Sequence, residues 1–387
     1  MINISYTNYT LLRKKKISST QSISNFRMVV RLNVPCTAFC WYKRTLSQMA
    51  GTMRAVQFQT GGLEKMKIGE VPIPVLRKKE ILIKVYASAI NRADTLQRKG
   101  AYPPPAGESD ILGLEAVGTV DKLGPDCSQK WNIGDRVMAL LAGGGNAEFV
   151  ACREECLMPI PKKMSFTIAA AIPEVWLTAY QLLHTVGGVK AGDTVLIHAG
   201  GSGVGTAATQ LSVLAKAKPL VTAGSIEKID MAKSLGAVAG FNYKEGDFSL
   251  GVKQYTKDVG VNLILDCIGE SFYNQNIESI ANDGTWVVYG LLGGGKINAD
   301  LLSKLLRKRI TITGTTLRVR PIEYKESLVQ NFTQNALPYF ESGRLKPIID
   351  KIFPLEQIGN AHQLMEENKN TGKIVLKIRE EDGRDEL

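Results

Sequence analysis

One stretch limits what this chain can fold into more than any other. Asp193-Thr-Val-Leu-Ile-His-Ala199 is an apolar run of strand length. It enters Gly200-Gly201-Ser202-Gly203-Val204-Gly205 just ahead of an amphipathic segment, Thr206–Ala217. A strand that passes through a glycine-rich turn directly into a helix is half of a βαβ unit, and such units build parallel sheets. Glycine at 200 and 203 is expected to let the chain turn sharply and present backbone N–H groups to a pyrophosphate. Gly205 is expected to let the helix pack closely on the strand, with its positive end facing the phosphates. The spacing is G-x-x-G-x-G rather than the usual G-x-G-x-x-G, so the flanking strand and helix carry much of the signal.

The sequence on both sides extends the pattern. Apolar strands are expected at Thr194–Ala199, Leu220–Ala223, Val261–Cys267, Thr285–Tyr289 and Ile310–Thr315, with crossover helices at Thr206–Ala217, Ile226–Leu235 and Tyr273–Ile280. Near-continuous apolar strands alternating with helices predict an α/β fold with a doubly wound parallel sheet, here over residues 173–318. Residues 53–172 read differently. Short alternating segments at Met53–Phe58, Glu80–Ala89, Ala116–Leu123 and Asp135–Leu140, punctuated by Tyr102-Pro103-Pro104-Pro105 and Gly143-Gly144-Gly145, predict a mostly-β domain. Ser165–Ala171 and Glu174–Val186 read as helices joining the two. After residue 318 a helical stretch leads to Lys373–Ile378, a strand without a partner in the α/β run. Residues 319–387 are therefore expected to return to the first domain.

The second strand of the α/β run sets the coenzyme. NAD binders usually carry Asp or Glu at its tip, holding the ribose 2′-hydroxyl. Here the strand ends Val221-Thr222-Ala223-Gly224-Ser225, and Lys228 follows. A hydroxyl and an ammonium attract a 2′-phosphate that a carboxylate would repel. NADPH is the expected cofactor, with Gly200, Gly203, Gly205, Ser225 and Lys228 around it. Glu227 is expected one residue into the next helix, pointing elsewhere.

Charge and cysteine usage exclude several classes. The net charge is +11, but residues 1–52 hold eight basic residues and no acidic one, leaving +3 for the rest. A nearly balanced body without a basic–aromatic patch gives no footprint for nucleic acid. No apolar run reaches the roughly 18–20 residues of a bilayer span, so no membrane span is expected. Six cysteines without C-x-x-C spacing and three scattered histidines offer neither a disulfide framework nor a metal site. Residues 1–52, basic, acid-free and rich in Ser and Thr, have the composition of a mitochondrial targeting segment or of a disordered extension. The location is expected to be cytoplasmic, with that segment as a candidate mitochondrial address. The terminal Arg384-Asp385-Glu386-Leu387 is similar to an ER-retention tetrapeptide but reads better as a solvated acidic end.

Several stretches together carry a family resemblance: Ala89-Ile90-Asn91-Arg92-Ala93-Asp94, Ile111-Leu112-Gly113-Leu114-Glu115, Ala171-Ile172-Pro173-Glu174-Val175-Trp176-Leu177-Thr178-Ala179, Gly240-Phe241-Asn242-Tyr243-Lys244, Leu263-Ile264-Leu265-Asp266-Cys267-Ile268-Gly269 and Gly372-Lys373-Ile374-Val375-Leu376. The chain resembles the zinc-free quinone oxidoreductase branch of the medium-chain dehydrogenase/reductase superfamily from Met53 to about Ile378. The resemblance implies a GroES-like catalytic domain before a Rossmann domain, with nicotinamide and substrate in the cleft between them. It also implies a homodimer paired through a Rossmann edge strand, for which Ile310–Thr315 is the candidate. It places Asn91 and Thr178 at the nicotinamide end, Tyr102 in the substrate-lining segment, Ser202, Gly203 and Val204 on the pyrophosphate, Gly224, Lys228 and Tyr243 around the adenosine ribose and 2′-phosphate, Gly269, Gly290 and Leu291 along the coenzyme, and Leu317 near its nicotinamide end. Zinc alcohol dehydrogenases resemble this chain with Cys and a His-Glu pair where it has Asn91 and Leu114-Glu115, and Asn and Leu cannot replace those ligands. A small-molecule quinone, already a strong hydride acceptor, is the implied substrate. Asp94 and Glu115 are read as structural. Two alternatives stand beside this reading: an NADPH-dependent enoyl or enone reductase of the same superfamily, and a non-catalytic NADPH-binding protein of the crystallin kind.

Overall fold

The computed structural model describes residues 51–297 and 299–381. The candidate targeting segment and the terminal tetrapeptide lie outside the described residues, apart from Gly51 and Thr52. The described residues open with an antiparallel ribbon of β1 (Thr52–Phe58) and β2 (Met66–Pro72). The catalytic sheet then assembles from β3 (Glu80–Ile90), β4 (Glu115–Leu123), β5 (Arg136–Leu140), β6 (Phe149–Arg153) and β7 (Leu157–Pro159). The parallel sheet comprises β8 (Thr194–Ile197), β9 (Lys218–Ala223), β10 (Ala239–Asn242), β11 (Val261–Asp266), β12 (Ile280–Val288) and β13 (Thr311–Gly314). The last two strands, β14 (Ile349–Pro354) and β15 (Lys373–Lys377), rejoin the catalytic sheet, whose order is β14-β15-β3-β4-β5-β7 with β6 also on β3. The expected return of the chain end is thus an antiparallel pairing of β15 with β3, Ile374 opposite Ile90.

The parallel sheet has the order β10-β9-β8-β11-β12-β13. Its strand order reverses between β8 and β11, and ligands of such sheets bind in the crevice beyond the strand ends at that point. Val195, Leu196, Ile197, Ile264 and Leu265 are wholly buried because helices cover both faces; Ala207, Ala208 and Leu211 of the helix Gly203–Leu214 close one of them. Strand β10 was not among the expected strands: Ala-Gly-Phe-Asn is a poor strand former, and parallel pairing to β9 supplies what propensity does not. One expectation needs correcting. Residues 166–186 are long and apolar enough to cross a bilayer. They form the helices Phe166–Ala169 and Pro173–Tyr180 and a π-helical turn, Gln181–Val186, most of it buried in the protein core.

Candidate active site

The turn after β8 is built by exclusion of side chains rather than by glycine torsions. Its left-handed residue is Ala199, at φ 54°; none of Gly200, Gly201, Gly203 and Gly205 has a positive φ. That corrects the expectation that Gly200 and Gly203 serve the sharp turn. A Cβ on Gly200 would lie 2.6 Å from Val221 Cβ on the neighbouring strand, and one on Gly205 would land on the Ala199 carbonyl oxygen. The close packing expected of Gly205 is therefore present, against the turn itself. Ser202 caps the helix: its Oγ accepts from the Gly205 amide at 3.0 Å. The Gly203 and Val204 amides, in the first turn, have no intrahelical acceptor and are the donors left for phosphate oxygens. The cradle fits a dinucleotide pyrophosphate.

At the tip of β9, Gly224 is covered by the Tyr243 hydroxyl and the Lys244 chain, 2.7 and 3.1 Å from where a Cβ would be. Lys228 Nζ donates to the Asn368 carbonyl at 2.6 Å, and burial pushes its ammonium pKa down, with Lys244 and Arg92 adding repulsion and Asp350 opposing it. Three cations, Lys228, Lys244 and Arg92, therefore gather beside the tip of β9. Glu227 is the second residue of the helix Ile226–Ser234, and its exposed carboxylate accepts the Ser225 hydroxyl, which holds its pKa down. Ser225 is thus already engaged, and Lys228 and Lys244 carry the positive charge. Further along, Gly269 and Leu291 are neighbours, Leu291 Cδ2 lying 3.0 Å from the Cβ position of Gly269, and Gly290 packs on Cys267, so these three line the ends of β11 and β12. Beneath them a buried network holds the strand ends in place. Asp266 accepts from the Ile268 and Gly269 amides, Asn276 Nδ2 and Trp286 Nε1, and His198 bridges Asn276 and Thr222. Burial lowers the His198 pKa, consistent with a neutral structural ring.

The opposite wall belongs to the catalytic domain. Asn91 precedes the helix Arg92–Arg98, and its backbone amide donates to Asp94 Oδ2 at 2.8 Å. Its side-chain Nδ2 donates to Glu115 Oε1 at 2.8 Å, and its Oδ1 accepts from Lys373 Nζ at 2.9 Å. Lys373 Nζ also donates to Glu115 Oε1 at 2.6 Å and the Ile90 carbonyl at 3.1 Å. An ammonium thus sits between Asn91 and Glu115. Leu114 is buried and apolar, and among the described residues no group of three or more His, Cys, Asp and Glu could hold a metal ion. The residues present do not fit a zinc ion. Asp94 Oδ1 accepts from the Gly113 amide, and burial raises its pKa to about 6. Asp94 and Glu115 are both fully buried and fully bonded, as expected of structural groups.

Thr178 and Tyr102 belong to two other elements. Thr178 lies on the helix Pro173–Tyr180, whose first turn is tied to the wall by the Glu174 amide donating to Glu115 Oε2 at 2.9 Å. Tyr102 is half-buried under the Arg318 guanidinium, 5.3 Å from its ring centroid, and desolvation raises the phenol pKa. Arg318 also donates to the Tyr102 and Ala142 carbonyls and to Gln97 Oε1, so a cation from the end of the parallel-sheet domain holds the Tyr102 loop. Leu317 beside it is buried in the core. Gly372 donates its amide to the Gly201 carbonyl at 2.8 Å, and Lys373 Cδ lies 2.9 Å from the Cβ position of Gly203, so the two walls meet at the phosphate turn. Sequence reasoning did not single out Lys373, Arg318, Lys244 or Arg92. The available signal was a lysine opening an otherwise apolar strand, and an arginine directly after Leu317.

A dinucleotide cradle facing a β-rich wall across a switch-point crevice defines a two-domain nicotinamide-type oxidoreductase. The chain belongs to the medium-chain dehydrogenase/reductase superfamily. Residues 77–162 match the family "Alcohol dehydrogenase GroES-like domain" and residues 203–334 match "Zinc-binding dehydrogenase". The human quinone oxidoreductase is 31% identical over 337 residues, 84% of this chain and 97% of that protein. The solved structure of mycobacterial Rv1454c complexed with NADPH has a TM-score of 0.74 at 29% identity, over 84% of this chain and all of that one. The CurK enoyl reductase gives 0.74 at 25% identity, over 84% of this chain and 99% of that one.

Proposed function

We propose that this chain is an NADPH:quinone reductase that works without a metal. The observation that carries the reading is the donor set of this wall: the Asn91 amide, the apolar Leu114 and a Glu115 carboxylate already paired with Lys373 do not make a metal site. With no metal to polarise a ketone or alcohol, the site suits an acceptor that is already electrophilic, and a quinone is one. NADPH supplies hydride when bound. The protein's part is to hold and orient. Gly203 and Val204 offer amides to the pyrophosphate, and Lys228, Lys244 and Tyr243 surround the 2′-phosphate end. Asn91 and Thr178 flank the nicotinamide, and Tyr102 under Arg318 offers a ring to stack on and a protonated phenol to donate a hydrogen bond. Positioning in a dry cleft then accounts for most of the rate. The human quinone oxidoreductase and the NADPH complex support this reading.

The nearest rival is an enone reductase, favoured by the likeness to CurK. NADPH consumption by the purified full-length chain separates them: the proposal expects oxidation on adding an ortho- or para-quinone, and turnover of a small enone alone would sink it. We further propose a homodimer through β13. That strand is one edge of the parallel sheet, and the adjacent helix Leu301–Lys308 exposes Leu302 and Leu306, about 80 and 77% accessible. Light scattering that gives a monomer for the wild type would refute it. Residues 1–52 are proposed as a mitochondrial address on an otherwise cytoplasmic protein, and an unchanged location after their deletion would refute that.

A further inference from the structure

Three carboxyl groups converge beside the nicotinamide end of the cleft, and they differ in one respect. Asp94 accepts two backbone amides. Glu115 accepts from Asn91, Lys373 and the Glu174 amide. The Glu174 carboxyl has no hydrogen-bond or ion-pair partner among the described residues. It lies at the start of the helix Pro173–Tyr180, in which Glu174 and Thr178 are half-buried and the other residues fully buried. Residues four apart share a helix face, so Glu174 and Thr178 look out on the same space one turn apart. The neighbouring Val175 Cγ1 lies 3.0 Å from the Cβ position of Gly203, which puts this end of the helix beside the phosphate turn.

We propose that Glu174 is the proton donor of this site, a carboxylic acid that protonates the reduced quinone. The inference rests on the quinone reductase reading. Two electrons and one proton reach the quinone as the hydride that the nicotinamide supplies, leaving negative charge on the second quinone oxygen. The Glu174 O–H bond breaks, a phenol O–H bond forms, and water returns a proton to the Glu174 carboxylate. Burial raises the Glu174 pKa to about 8, with Glu115 and then Asp94 adding to the rise and Lys373 and Lys325 opposing it. Tyr102 and Arg318 face the same group from the loop and from the end of the parallel-sheet domain. An acid held in that range is protonated at neutral pH and can be reloaded between turnovers.

The test uses the full-length chain and the variants Glu174→Gln and Glu174→Asp. Infrared titration of the coenzyme-free protein reads the acid directly: a protonated carboxyl band should persist to about pH 8 in the wild type and be missing in Glu174→Gln. With saturating NADPH and a para-quinone, kcat of the wild type should fall on the alkaline side. Glu174→Gln should lose about tenfold, less than the 10²–10⁴ typical of general acids because a phenolate is itself a stable product, and should lose the alkaline limb. Its NADPH affinity should be unchanged, and Glu174→Asp should restore part of the rate with the limb. Glu174→Gln turning over quinone at the wild-type rate with the same pH profile would overturn the proposal while leaving the quinone reading intact. A wild type that reduces no quinone would overturn both.

Discussion

Replacing Lys373 with methionine isolates the electrostatics of the cleft wall. The ammonium is 3% exposed and its partner Glu115 is wholly buried, 2.6 Å away. Methionine keeps the length and apolar volume of the lysine stem, so the packing change costs under about 1.5 kcal/mol. The larger effect is on Glu115, which keeps donors in Asn91 Nδ2 and the Glu174 amide but loses its only counter-ion within the cluster. Removing one partner of a buried pair costs about 3–5 kcal/mol, because the remaining charge cannot return to water. Lys373→Met should therefore lower folding stability by that amount, read from urea denaturation followed by circular dichroism. The double variant Lys373→Met/Glu115→Gln removes both charges of the pair and should recover most of the loss. A single variant within about 1 kcal/mol of wild type, or a double variant no better than the single one, would show that the pair does not organise this wall.

Three further perturbations probe other parts of the molecule. Lys228→Ala should weaken NADPH binding about 10–100-fold, the equivalent of one charge-assisted hydrogen bond, and leave NADH affinity nearly unchanged in calorimetry; equal losses would remove Lys228 from the 2′-phosphate site. Gly205→Ala should abolish dinucleotide binding, because its Cβ would collide with the Ala199 carbonyl and push the helix from the turn; unaltered affinity in the same titration would contradict this. His362 is wholly buried with neither ring nitrogen bonded, and burial pushes its pKa down to about 4. A depressed histidine leaves stability intact above its unfolded value of about 6.5, and that stability is lost as pH falls from there toward about 4. His362→Leu should gain stability over wild type as pH drops through that window, and parallel pH profiles of the two proteins would refute it.

The parts of this molecule that could be read in the sequence are those where local pattern and tertiary role agree. Leu263, Ile264 and Leu265 form an unbroken buried apolar run because both faces of the sheet are covered, and Ser202 stands where a helix cap must stand. Lys373–Lys377 could be assigned to the catalytic sheet because no strand of the α/β run was left to receive it. The glycine roles were harder. Nothing local marks Ala199 as the residue that turns left-handed, since Ala199, Gly200 and Gly201 all look permissive until Val221 and the helix close in. The cleft wall was the least legible part. Asn91, Glu115, Glu174 and Lys373 are separated by up to 282 residues, and only the pairing of β15 on β3 brings the lysine to the asparagine. Arg318 likewise acquires its role from a loop more than two hundred positions away. Charges that find their partners across domains leave no periodic trace in either segment.

The central claim is that this cleft passes hydride from NADPH to a quinone. It is tested most directly by direct competition: the full-length protein, NADPH as the limiting reagent, and equal concentrations of a para-quinone and a small enone, with products identified by mass spectrometry. The account predicts hydroquinone as the dominant product and little saturated ketone. Saturated ketone as the main product, with the quinone recovered unchanged, would contradict it.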